Sequence, residues 1–182
     1  MVRGIQLCLI LGSLSACSSG PSRPSAPIAF ATAEGALQHV CTAPSSHRQI
    51  IKAVRGLNWP LAGRHEVPEQ IVGNGMVAWS DVAVSPRQDL VVAAGRLGGT
   101  SYCRVYARRP SSTVPLNLMH LQVLGAPLGT PDFRQRVDGS DIVGWHKRLG
   151  PEWRAVHVSV AAPAGVERPE MPLMIEVTRS AI

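Results

Sequence analysis

The chain has 182 residues and a formal net charge of +6, with 45% of residues apolar and 16% charged. That length suits one domain with its own core, and the balance excludes a disordered chain, which has too little apolar surface to offset its ordering entropy. Aromatic residues make up only 4%, so the core must be built from Val, Ile, Leu and Ala.

Residues 1–16 read as an export signal. Arg3 gives a positive start, and residues 5–14 form an apolar run broken only by Gln6, Gly12 and Ser13. At about 1.5 Å per residue, this run is about half of what a membrane-spanning helix needs. A secretory signal is the better reading. Leu14-Ser15-Ala16-Cys17 follows directly. It resembles the lipobox of bacterial lipoproteins: Leu, two small residues, then Cys. The resemblance implies that the Cys17 sulfur accepts a diacylglyceryl group and that cleavage leaves Cys17 as the new N-terminus. At about 0.8 kcal/mol per buried CH₂, two acyl chains anchor stably where one is marginal. The membrane partner is then lipid, through acylated Cys17. In lipoproteins of two-membrane bacteria an Asp after the lipidated Cys signals retention at the inner membrane. Ser18 stands there instead, which implies the periplasmic face of the outer membrane.

Residues 17–31 are the lipidated cysteine and a Pro/Ser-rich tether, which at about 3.1 Å per residue reaches about 40 Å. A single domain over 32–182 follows. Thr32 caps a short helix carrying Leu37 and Val40. Ser46-His47-Arg48-Gln49 has capping-box form, and Ile50, Ile51, Val54 and Leu57 recur at helical spacing, which predicts a helix over 46–56 stopped at Gly56. Gly73-Asn74-Gly75 marks a turn. Strands are expected over 76–84, 90–94 and 102–108, the last two joined at Gly98-Gly99. In the third, Cys103, Val105 and Ala107 share one face, and Tyr102, Arg104, Tyr106 and Arg108 share the other. Leu116, Met119, His120, Val123 and Leu124 form a stripe that predicts a second helix over 115–124, ended by Gly125 and Pro127. Residues 129–140 read as polar loop. Strands over 142–147, 153–160 and 173–178 complete the chain, with a turn at Gly150-Pro151-Glu152. The pattern predicts an α+β fold: an antiparallel sheet of about six strands with two helices, in the order α-βββ-α-βββ. Helices on one face would bury Ile50, Ile51, Val54, Leu116, Met119 and Val123.

With Cys8 in the leader and Cys17 lipidated, Cys41 and Cys103 remain, 62 positions apart. In an oxidising compartment a disulfide between them is the expectation, with two buried thiols as the alternative. The chain-entropy model values such a bridge at about 4 kcal/mol. Zinc and thioredoxin-like sites use CxxC spacing, which is absent. Cys41, then Gly56-Leu57-Asn58-Trp59, then Cys103-Arg104-Val105 is similar to a layout in small uncharacterised proteobacterial envelope proteins. That resemblance implies an envelope location and no particular activity.

Chemistry is sparsely signalled. Nucleophile-elbow, Walker, HExxH, EF-hand and GxGxxG patterns are missing, so no catalytic residue, metal or cofactor is expected. None of the six histidines forms an i, i+4 helix pair or an HxH strand pair. His65 and His157 are the candidate bases if the domain is an enzyme. Trp145 and Trp153 flank the Gly150-Pro151 turn and, on paired strands, would offer a sugar-stacking or peptide-binding platform; packing against their own sheet is the plainer alternative. Without Arg3 the net charge is +5. Arg104 and Arg108 belong to the tightest basic group and are candidate anion-binding residues. No nucleic-acid-binding motif is present. The leading reading is a non-enzymatic, membrane-tethered accessory or binding module with a protein partner in the envelope. One alternative is a small periplasmic hydrolase or peptidoglycan-active enzyme. Another is a binder of anionic lipid or lipopolysaccharide.

Overall fold

Hydroxyl side chains start both α-helices among the described residues. The computed structural model describes residues 26–42, 46–62, 77–108, 122–123, 126–137, 140–149, 152–161 and 173–181. Helix α1 (Ala33–Leu37) begins at Thr32, whose Oγ1 accepts from the Gly35 amide at 3.1 Å. It runs into a π-helical turn, Gln38–Thr42. Helix α2 (His47–Gly56) begins at Ser46, whose Oγ accepts from the Gln49 amide at 3.4 Å. Each cap satisfies an amide that has no partner inside its helix. The helix ends at Gly56, as expected from sequence, but the left-handed residue lies two positions further on, at Asn58 with φ 55°, a role asparagine fills with little strain.

The strands are β1 (Ala78–Val84), β2 (Leu90–Leu97), β3 (Thr100–Ala107), β4 (Gln122–Val123), β5 (Ala126–Pro127), β6 (Phe133–Val137), β7 (Ser140–Leu149), β8 (Glu152–Ala161) and β9 (Leu173–Ala181). Seven of them form one antiparallel sheet in the order β1-β2-β3-β9-β8-β7-β6. It consists of a three-strand and a four-strand meander that meet where β3 pairs with β9. β4 and β5 pair separately. The Gly98-Gly99 reversal is present, with Gly98 at φ 55° between the paired residues Leu97 and Thr100.

The α+β class and the antiparallel sheet match the sequence reading; the strand count and element order do not. Gln122–Val123, the described part of the expected 115–124 helix, is strand; Leu116, Met119, His120 and Leu124 lie outside the described residues. A short apolar run suits either period, and the Gly125 and Pro127 that would stop a helix serve a chain reversal equally well. Within the expected loop, Phe133–Val137 is strand β6. It is an edge strand, so it can expose Arg134 and Arg136 and lacks the apolar run of an interior strand.

The helices pack on one face of the sheet. Leu37, Val40, Ile50, Val54 and Leu57 meet Val92, Val105, Val156, Ile175 and Val177 in the main core, with Ile51 partly buried at its margin. A smaller cluster of Val82, Val91, Ala93 and Tyr106 lies on the opposite face. The packed region begins before Thr32. The Ile28 amide donates to the Leu57 carbonyl at 3.0 Å, the Trp59 indole donates to the Ile28 carbonyl at 2.6 Å, and Phe30 meets Trp59 edge-on at 6.0 Å. Ile28 and Phe30, read from sequence as tether, therefore join the core margin.

Candidate functional site

Cys41 and Cys103 form a disulfide with their Cα atoms 5.5 Å apart. Both are fully buried. The bond joins the π-helical turn to the middle of β3. Beside it, Arg179 of β9 donates to the carbonyls of Cys41 at 2.6 Å and Thr42 at 3.3 Å. A buried cation at the carbonyl end of a helical segment is favourable, because those oxygens have no partner further along the chain. One covalent and one charge-assisted link thus hold the N-terminal helical layer to the centre of the sheet.

The face away from the helices carries a second polar group. Gly95 permits it: a Cβ there would lie 2.7 Å from Trp79 Cε3 and from Val77 Cγ1. Trp79 instead lies close over β2, and the Arg104 guanidinium sits 4.8 Å from its ring centre. Arg104 Nε donates to Glu176 Oε2, and its Nη1 donates to the Tyr106 hydroxyl at 3.1 Å. The Arg104–Glu176 pair follows from the β3–β9 register, which sets the two residues opposite each other. Burial opposes the charge on Arg104, but the pull of Tyr106 and Glu176 and the bonds to both outweigh it, so its pKa is raised. Burial raises the Tyr106 pKa as well, against the opposing effect of Arg104. The arginine is therefore committed to internal partners. In the next strand, His157 pairs in register with Glu176.

A third group lies where α2 meets β1. Ser80 is the extra residue of a β-bulge: Trp79 pairs with Gly95, and Asp81 pairs with Ala94. Ser80 Oγ lies 3.3 Å from His47 Nε2. Asp81 is gripped by Arg55, with Nε on Oδ2 at 3.1 Å and Nη2 on Oδ1 at 3.4 Å. Burial and the positive charge of Arg96 lower the His47 pKa, against the pull of Asp81. The imidazole is neutral at pH 7. A Ser–His contact is one half of a nucleophilic triad, which also needs a carboxylate on the second ring nitrogen. Among the described residues His47 Nδ1 has no hydrogen-bond partner, and the adjacent carboxylate is spent on Arg55.

The residues singled out from sequence are not gathered. Cys17 and His65 lie outside the described residues. Trp145 is buried and donates to the Gly129 carbonyl at 2.9 Å. It pairs with Val156, whereas Trp153 pairs with Arg148. Three positions separate those pairs, so strand alternation puts the two tryptophan positions on opposite faces, and they do not share a platform. Arg104 is internal, while Arg108 is exposed just past the end of β3. Sequence reading missed Glu176, Tyr106 and Trp79. The available signal was a lone carboxylate in the apolar run Met174-Ile175-Glu176-Val177 facing a lone arginine in Cys103-Arg104-Val105; a charge inside an apolar strand requires a partner. Among the described residues, no three His, Cys, Asp or Glu side chains are grouped to hold a metal, and no helix is long and apolar enough to cross a membrane.

The chain matches no protein-family model, no curated protein and no solved structure.

Proposed function

We propose that this chain is a lipid-anchored lipoprotein of the cell envelope, held at the periplasmic face of the outer membrane, whose α+β domain is a non-enzymatic binding module. The observation that carries the reading is the closed Cys41–Cys103 bond in a chain that opens with an export-like segment and Leu14-Ser15-Ala16-Cys17. A buried structural disulfide belongs to an oxidising compartment. The packed region starts at Ile28, earlier than the domain start at residue 32 expected from sequence.

The polar groups favour binding over catalysis. Arg104 bonds to both Glu176 and Tyr106, and Asp81 is held by Arg55. The hydrolase reading has the His47–Ser80 contact in its favour, but among the described residues no carboxylate orients the imidazole. The anionic-lipid reading needs arginines converging on one face; apart from the internal Arg104 and Arg179, those described are spread over α2, the β1–β2 turn, β2, the end of β3, β6, β7 and β8. Replacing Cys17 by Ala should move the protein from the membrane to the soluble fraction of lysed cells. A C17A chain that stays with the membrane would overturn the anchor.

A further inference from the structure

We infer that the outer edge of β6 accepts an extended acidic peptide segment as an eighth strand of the sheet. β6 is an edge strand: it pairs with β7 on one side, and no described strand lies on its other side. The hydrogen-bond pattern shows which backbone groups face outward. The Asp132 amide donates to the Gly144 carbonyl, and the His146 amide donates to the Asp132 carboxylate, so Gly144 and His146 turn their backbone groups toward β6. Alternation extends this to Ile142 and Ser140. Their partners Phe133, Gln135 and Val137 face inward by register. Arg134 and Arg136 are left presenting their N–H and C=O groups along the edge that no described strand occupies.

The same two residues define the partner. Both arginines are exposed. Among the described residues Arg136 has an ion pair with Asp141 at 3.9 Å, with both side chains about two-thirds exposed, a separation and exposure at which an ion pair contributes little. A second copy of β6 laid alongside would set arginine against arginine, which is destabilising across a strand pair. An acidic strand would set Glu or Asp against them while its backbone completes the ladder, the strand-addition mode of peptide recognition. The strand is short and well fixed for this purpose: Asp132 ties its start to β7, and the Phe133 ring stacks on His146 at 5.6 Å.

This inference deepens the binding-module reading and is independent of the anchor, because C17A should bind the peptide as the natural chain does. The test is NMR titration of the full-length chain with an eight-residue peptide alternating Glu and Thr. The expected result is saturable binding whose amide shifts centre on β6. Arg136→Pro deletes an outward N–H without removing an inward bond and should weaken binding at least tenfold. R134E/R136E should abolish it and instead bind the matching Lys/Thr peptide. Three results would overturn the proposal: no saturable binding, unchanged binding in R136P, or binding of anionic phosphatidylglycerol vesicles in preference to the peptide.

Discussion

Glu176 and Arg104 form an ion pair with both side chains largely removed from solvent, where an unpaired charge is costly. Glu176→Gln leaves a mostly buried guanidinium without its counter-ion and should cost about 3–5 kcal/mol in urea denaturation. The double change R104M/E176L should recover most of that loss, since an apolar pair of similar volume avoids desolvating charge. Gly95 acts one contact further out. Gly95→Ala drives a methyl group into Trp79 and Val77 and should cost about 1–3 kcal/mol, the usual range for overpacking. His47 makes stability depend on pH. Its folded pKa lies below the ordinary 6.5, so in mild acid the unfolded chain binds the proton more readily. The contribution of His47 is complete above pH 6.5 and is lost as pH falls through the lowered folded value. The drop in urea midpoint from pH 7.5 to pH 5 should be smaller in H47Q than in the natural chain.

At the scale of elements, the decisive link is between the helical layer and the sheet. Breaking it with C41S/C103S should cost about 4 kcal/mol, from the 62-residue separation that the bridge spans. Arg179 should keep the π-helical turn in place in the folded state, so near-native far-UV circular dichroism with a lowered thermal midpoint is the expected outcome. The elements legible in the sequence were those with strong local signals. The Thr32 and Ser46 caps, the Ile50–Val54 stripe and the Gly98-Gly99 reversal are encoded within a few residues, and the structure has each of them. β6 was not legible, because an edge strand with exposed arginines has the composition of a loop. The 115–124 stripe was ambiguous between helical and strand periods, and its described end is a strand. The Arg104–Glu176 pair depends on β3 meeting β9, a pairing of strands 72 residues apart that no local pattern encodes.

At the scale of the whole molecule, the described residues form a helix-backed sheet whose chemistry-bearing side chains are largely spent on holding it together. Among the described residues this leaves β6 as a basic edge of the sheet, and the proposed anchor would keep it close to a membrane. The account rests on acylation of Cys17, and mass spectrometry of the N-terminal peptide of the native protein tests it most directly. The predicted result is a peptide that starts at Cys17 and carries the mass of a diacylglyceryl group. An unmodified peptide that still contains residues 1–16 would contradict it.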